Sequence, residues 1–208
     1  MRIKEATAIA GSLGYPSKMP GTAYGISAMA CKTGSKLAKI EGSVCHGCYA
    51  LKANYLYPSV MTAHQKRMAG ITHPEWVEAM VTLLSKSGEE YHRWHDSGDL
   101  QSLDHLKRIV EICIRTPSIK HWLPTREVKI VSDYVKQYGD FPSNLVVRVS
   151  SPMINDKPLT SYANTSTVHT DGSTVHGVEC NARHNDNKCG DCRACWSRKV
   201  KNVSYPKH

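Results

Sequence analysis

The sequence lacks any long apolar segment. Its first twenty residues contain no sustained hydrophobic run, and no later stretch is long enough to cross a bilayer, so we predict neither a secretory signal nor a membrane span. Internal repeats and low-complexity tracts are also lacking. Without an export signal, we expect the thiols to lie in a reducing cytoplasm, where groups of cysteines indicate metal or redox sites rather than disulfides.

Acidic residues are few compared with basic ones. The chain has 18 Asp and Glu against 27 Lys and Arg, a formal charge of +9, and an isoelectric point of about 9.1. This excess favours anionic partners, either nucleic acid or small molecules that carry phosphate or carboxylate. Metal-bound thiolates are negative, however, and several of them would cancel much of the charge. We therefore place a charge-balanced metal protein ahead of a nucleic-acid-binding one.

Cysteines, in contrast, are abundant and clustered. Seven of the eight fall into two groups, the first formed by Cys31, Cys45 and Cys48 and the second by Cys180, Cys189, Cys192 and Cys195. Neighbouring thiols in a Cys-x-x-Cys-x-x-Cys run would compete for disulfide partners, whereas the same spacing suits an iron–sulfur cluster. Three thiolates leave one iron of a [4Fe-4S] cluster open for substrate chemistry, while four close a cluster for structure or electron transfer. We expect one or two such clusters.

Two alternatives for the metal stay open. Tetrahedral zinc sites could form with His46 or His184 completing the ligands, although zinc sites usually pair two Cys-x-x-Cys knuckles rather than use a continuous triple. A single cluster could also draw on both groups. The eighth cysteine, Cys113, lies on an apolar helical stripe and is predicted to be a core thiol.

Hydrophobic periodicity predicts alternating strands and helices in a single domain. Helices are predicted over 60–70, from Pro74, after Ser102 and over 126–138, and strands over 91–96, 120–125 and 145–150. Residues 1–59 are predicted to form a short strand and ordered loops that hold the first cysteine group. Residues 152–208 form an extension with the second group and a hairpin near Thr167 to Val175. The order predicts an α/β fold, either a partial (βα) barrel or a curved open parallel sheet.

Strand alternation predicts a polar pocket at the carboxyl ends of the strands. The residues expected to line it are Arg93, His95, Ser97, Asp99, Thr125, Arg148 and Ser150. Alternatively, the two arginines pair with Asp96 or Asp99. Trp196 is expected to shield a cluster from water. The histidines predicted to lie at the surface are His64, His105, His169, His176 and His208.

Several motifs together resemble a phage family, gene product 88. They are Met19-Pro20-Gly21, Tyr24-Gly25-Ile26, the run from Cys31 to Leu37, Cys45-x-x-Cys48-Tyr49-Ala50, Ser97-Gly98-Asp99 and the closing Cys-x-x-Cys-Trp. The cysteine element and Ser97-Gly98-Asp99 are more distantly similar to the radical S-adenosylmethionine superfamily. That resemblance implies a radical-SAM-like partial barrel, a [4Fe-4S] cluster on the first cysteine group, and S-adenosylmethionine held through Asp99. Here, however, Cys31 lies well before Cys45, and Ser-Gly-Asp replaces Gly-Gly-Glu.

These observations predict a phage iron–sulfur protein with a redox or radical-type role in the cytoplasm of an infected host cell. Its partners would be an electron donor or a small-molecule substrate, and no membrane. The alternative is a nucleic-acid-binding protein with structural zinc or iron–sulfur sites, supported by the net charge and the basic residues after Cys195. Catalytic residues are not assigned by either hypothesis.

Overall fold

The computed structural model describes residues 1–207, which contain six α-helices and seven β-strands. The helices are α1 (Ile3–Ala10), α2 (Lys32–Leu37), α3 (Pro58–Gly70), α4 (Trp76–Ser87), α5 (Leu103–Arg115) and α6 (Val128–Tyr138). The strands are β1 (Thr22–Tyr24), β2 (Tyr91–Trp94), β3 (Lys120–Thr125), β4 (Leu145–Ile154), β5 (Thr165–His169), β6 (Val178–Glu179) and β7 (Asn202–Pro206).

All seven strands belong to one parallel sheet. Their order is β1-β2-β3-β4-β5-β7-β6, and each neighbouring pair runs in parallel. Helices α5 and α6 connect β2 to β3 and β3 to β4, as the predicted crossovers require. The predicted α/β class with a parallel sheet is therefore confirmed, and the carboxyl ends of β1 to β4 lie along one edge.

The apolar helices cover one face of the sheet. Trp76 of α4 and Trp94 of β2 are completely buried in this core, and they pack edge-on against Tyr24 of β1. Cys113 of α5 is also completely buried there, which confirms the prediction of a core thiol. The predicted helix cap is confirmed as well, because the Ser102 hydroxyl accepts a 3.0 Å hydrogen bond from the His105 amide. No helix among residues 1–207 has the length and apolarity needed to span a membrane.

The first and last parts of the chain differ from the prediction. The structure begins with helix α1, where only a short strand and loops were expected. The prediction of a hairpin near Thr167 is wrong, because β5 pairs in parallel with β4 and β7 and not with an antiparallel strand after Asp171. The cause is a buried ladder of polar side chains that joins these strands, including a 2.8 Å contact between the hydroxyls of Ser150 and Ser166. Such polar strands have no hydrophobic alternation to reveal them.

Three of the histidines expected at the surface are buried, so that prediction is wrong for them. His64, His105 and His169 are at most 6% exposed. His105 packs against the indole of Trp76, and His169 is bonded through its two ring nitrogens to Ser204 and Glu179. His176 is partly buried, and His208 lies outside the described residues.

Candidate functional site

The first cysteine group lies where the chain enters and leaves helix α2. Cys31 immediately precedes α2, and Cys45 and Cys48 follow it in a loop that is tied to β4 by a 2.9 Å bond from the Val44 amide to the Pro152 carbonyl. A Cβ atom placed on Gly34 would lie 3.7 Å from the Cys31 sulfur and 3.6 Å from the Cys45 sulfur. The two sulfurs therefore converge over a helix position that carries no side chain.

Two carboxylates and one arginine lie around this group. Burial raises the pKa of the Cys31 thiol to about 12, and Asp99, Cys48, Cys45 and Glu127 raise it further as like charges. Burial also raises the pKa of Cys45, while the guanidinium of Arg126 lowers it. The thiols of this group are thus close enough to act on one another, and a metal would have to displace their protons.

The second cysteine group lies between β6 and β7. The Cys180 amide donates to the Ser204 carbonyl at 2.9 Å, and the Cys189 amide donates to the Lys18 carbonyl at 2.9 Å, which ties the group to the N-terminal part of the chain. The Cys195 sulfur lies 3.2 Å from the phenolic oxygen of Tyr205. Cys180 and Cys192 both act electrostatically on Cys189, which places these thiols near one another.

Arg148 anchors the loop of the second cysteine group through hydrogen bonds to its backbone. Its guanidinium donates to the carbonyls of Ala194 at 2.8 Å, Cys195 at 3.1 Å and Ser197 at 2.9 Å, and it also bonds the carbonyl of Thr165 at 3.2 Å. These acceptors are neutral backbone oxygens, and Arg148 is completely buried. The predicted pocket residue therefore acts in this structure as a clamp that shapes the cysteine loop.

Trp196 fastens the same loop to the sheet. Its indole nitrogen donates to the His92 carbonyl at 3.0 Å, and its ring packs edge-on against Tyr91 and Trp122. The ring is 6% exposed. Its expected role as a shield for a cluster stays a prediction.

The charge around the second group is positive. Burial raises the pKa of the Cys195 thiol to about 11, but the Tyr205 hydroxyl, Arg148 and Arg93 all oppose that rise. Arg93 also lowers the pKa of Cys189. Cationic and hydroxyl neighbours stabilise thiolate, so the environment favours the ionised, metal-binding form more than that of Cys31 does.

Arg93 lies on β2, near the second group. Its guanidinium stacks 4.6 Å from the centre of the Trp122 ring, and its buried Nε has no hydrogen-bond partner within residues 1–207. Among the salt bridges of the described residues, none involves Arg93 or Arg148, so the predicted pairs with Asp96 or Asp99 do not form. The positive charge of Arg93 acts on Cys195 and Cys189, and Tyr49 and Asp96 interact with the same guanidinium.

The end of β2 brings together His95, Ser97 and Asp99 of the predicted pocket. His95 adopts a left-handed backbone with φ 63°, and its Nδ1 lies 3.1 Å from the Tyr24 carbonyl. Burial lowers the pKa of His95 to about 4. The His95 Nε2 and the Ser97 hydroxyl are both buried without a partner in the part of the chain that the structure describes.

Asp99 and Thr125 are already engaged with each other. The Asp99 carboxylate accepts from the Thr125 hydroxyl at 2.5 Å, the Leu100 amide at 2.7 Å and the Arg126 amide at 2.8 Å. Burial raises the pKa of Asp99 to about 6, against the effect of these donors. Ser150, the remaining pocket candidate, shares its hydroxyl bond with Ser166.

Sequence reasoning missed three residues of this region. Gly34, Arg126 and Glu127 all lie beside the first cysteine group, and Glu127 accepts from the Thr33 amide at 2.8 Å and the Thr33 hydroxyl at 2.9 Å. Arg126 and Glu127 directly follow β3. The general rule that ligands bind outside the carboxyl ends of parallel strands could have pointed to them.

The described residues contain no group of three or more histidine, cysteine or carboxylate side chains placed to hold a metal ion. All eight cysteines are within the described part of the chain, and all are free of disulfides. The structure therefore keeps seven thiols available in two groups, without the tight packing of a preformed single-ion site.

Comparison with known proteins gives one family. The family model of Gene product 88 matches residues 2–198, almost the whole chain. No curated protein and no solved structure shows significant similarity to it.

Proposed function

The chain belongs to the Gene product 88 family of phage proteins, and we propose that it is an iron–sulfur protein with a redox or radical-type role. In this proposal Cys31, Cys45 and Cys48 hold a [4Fe-4S] cluster with one open position. The four cysteines of the second group hold another cluster that is fully ligated. Together with the parallel sheet, this would give a partial barrel with clusters at its mouth.

The convergence of two sulfurs over Gly34 carries the proposal. Cys31 and Cys45 are distant along the chain, yet their sulfurs lie within 3.7 Å of one point beside a glycine. Any larger residue there would fill the space on that side of the sulfurs. The Cys45 thiol is buried and the Cys31 thiol is partly buried, and neither has a hydrogen bond within residues 1–207, which fits a site whose partner is an inorganic group.

The spacing of the thiols favours a polynuclear cluster over zinc. Sulfurs bound to one zinc ion each lie about 2.3 Å from it, and they must therefore be close together. No such compact group exists among residues 1–207. In an iron–sulfur cluster each thiolate binds a different iron, so its ligands are more widely spaced.

In this proposal the residues around the two cysteine groups have different roles. A bound cluster would supply or accept single electrons. Arg148, Tyr205 and Trp196 orient the second group and limit its contact with water, while α2 and the Val44 link to β4 position the first. Asp99 has three donors from its own chain. We therefore do not assign Asp99 to the amino group of S-adenosylmethionine, although that cofactor stays one candidate for the open position of the first group.

An iron count on matched variants tests the proposal. Protein purified without oxygen should contain iron and sulfide in equal amounts and show an electron paramagnetic resonance signal when reduced. Cys31→Ser and Cys189→Ser should each lose about one cluster's iron, because each removes a ligand from a different group. Cys113→Ser is the control and should keep the full iron content.

Two outcomes would reject the proposal. Colourless protein that contains zinc in place of iron would assign the thiols to structural sites. Equal and complete loss of iron in both ligand variants would show that the two groups share one cluster, which would remove the open position assigned to the first.

A further inference from the structure

A cleft lies beside the first cysteine group, at the carboxyl ends of β3 and β4. Its volume is about 520 Å³, within the usual range for small-molecule sites. Helix α2 contributes Thr33 and Leu37, the sheet contributes Ser150, and the segment after β4 contributes Leu159 and Tyr162. Since Cys31 immediately precedes α2, one wall of the cleft is continuous with the first cysteine group.

Arg126 also lines this cleft, and its side chain makes no hydrogen bond or salt bridge within residues 1–207. Its Nε is buried and has no hydrogen-bond partner within residues 1–207, and none of the salt bridges of those residues involves it. Its own amide is held by Asp99 at 2.8 Å, so the backbone below the side chain is fixed. A partly buried guanidinium without a partner is costly unless something outside the chain completes it.

The nearby carboxylates do not fill that role. Both oxygens of Asp99 accept hydrogen bonds from Thr125 and from backbone amides, and both oxygens of Glu127 accept from Thr33. Arg148 provides the contrast, because its guanidinium is saturated with backbone carbonyls. Arg126 follows β3 and Arg148 lies within the neighbouring strand β4, and of the two only Arg126 borders the cleft.

We propose that this cleft binds a small molecule bearing a carboxylate or phosphate, with the Arg126 guanidinium gripping the anion. The planar fork of arginine matches either group through two parallel hydrogen bonds. Leu37 and Leu159 would contact the apolar body of the ligand. The site gives the first cysteine group its substrate class, and in that respect it rests on the proposed function.

Calorimetric titration of the full chain, purified without oxygen, tests the anion site. The probes are adenosine monophosphate with adenosine as its neutral counterpart, and adenosine 5′-carboxylate with adenosine 5′-carboxamide as its neutral counterpart. At least one anionic probe should bind more tightly than its counterpart. Arg126→Gln should weaken that probe about tenfold or more, as expected for a lost charge-assisted contact. Arg2→Gln, which removes an exposed positive charge that does not line the cleft, should leave binding unchanged.

The two anionic probes distinguish phosphate from carboxylate as the recognised group. Equal binding of neutral and anionic probes, no binding of any of them at millimolar concentration, or unchanged affinity in Arg126→Gln would overturn the anion site. Iron measured on the same samples separates the two proposals. Protein that contains iron but does not bind the anionic probes would refute only the anion site in the cleft. Protein that lacks iron but binds an anionic probe in an Arg126-dependent way would refute only the iron–sulfur clusters.

Discussion

The first cysteine group lies beside two carboxylates and one arginine, Arg126, whereas the second lies among arginines. Burial raises the pKa of both Cys31 and Cys195, but Asp99 and Glu127 raise that of Cys31 further, while Arg148 and Arg93 oppose the rise for Cys195. The two groups also differ in support, since the first borders an open cleft and the second is clamped by the buried side chain of Arg148. Identical ligand chemistry is thus placed in different electrostatic surroundings.

Under the proposed function, this difference gives the two groups different tasks. Reduction potentials of iron–sulfur clusters depend on nearby charge and hydrogen bonding. Negative neighbours lower the potential and positive neighbours raise it. In our proposal the first site is therefore the stronger reductant and meets substrate, and the second is the electron relay with the higher potential.

Acid is expected to unfold the sheet that both cysteine groups share, so the electrostatic difference between the two groups should be lost. Burial holds the pKa of His95 at about 4 and that of His121 at about 3, and it also lowers those of His92 and His105. In the unfolded chain these histidines bind protons near pH 6.5, whereas in the folded chain they stay neutral to lower pH. Their contribution to the free energy of unfolding is therefore complete above pH 6.5 and falls as the pH drops toward 4. The loss is on the order of 3 kcal/mol for His95 alone. Asp99, with its pKa raised to about 6, opposes the trend below that pH but is outnumbered.

Urea unfolding followed by tryptophan fluorescence between pH 7.5 and 4.5 measures this effect, and iron release is recorded on the same samples. Both groups should lose metal together. Release of iron from one group while the sheet stays folded would mean that the cysteine regions open independently.

Removal of the Arg148 guanidinium should affect the iron content of the two cysteine groups differently. Arg148→Met preserves volume but leaves the carbonyls of Ala194, Cys195 and Ser197 without their donor, at a cost of roughly 3 kcal/mol or more. We expect the second group to lose its iron while the first retains it. Thermal unfolding and iron analysis check this, with Arg108→Met as the control, because Arg108 also donates to backbone carbonyls, those of Ile71 and His73, outside the two cysteine groups. Loss from both groups at once would contradict the division.

Arg93→Gln gives the smallest expected change. The substitution removes a positive charge that acts on Cys195 and Cys189, so the potential of the second site should become more negative by tens of millivolts. The first site should shift less. Potentiometric titration followed by electron paramagnetic resonance measures both, and equal shifts would indicate that Arg93 does not discriminate between the groups.

The middle of the chain could be predicted because its signals are local. Apolar periodicity revealed α3 to α6 and β2 to β4, and the Ser102 cap placed the start of α5. The strands β5 and β7 were missed because residues such as Thr165 and Ser204 are buried through hydroxyl contacts, which have no hydrophobic pattern. Helix α1 was missed because it is only 8 residues long.

The candidate site could be predicted only in part. Spacing alone revealed both groups of cysteines, and alternation placed Arg148 on the correct strand. Alternation does not show whether an arginine faces a pocket or a carbonyl, which depends on the loop at 194–197 folding back over β4. Likewise, the meeting of Cys31 and Cys45 over Gly34 depends on the path of α2, a tertiary feature that spacing does not encode.

The strand order has a consequence for how the protein matures. β7 lies between β5 and β6, so β6 has no place in the sheet until the later strand has been made and inserted. The loop carrying Cys189, Cys192 and Cys195 is closed only by that insertion, whereas α2 and its cysteines precede most of the sheet in the chain. During translation the first cysteine group would thus leave the ribosome well before the second. A system that assembles clusters would therefore encounter the two groups at different times.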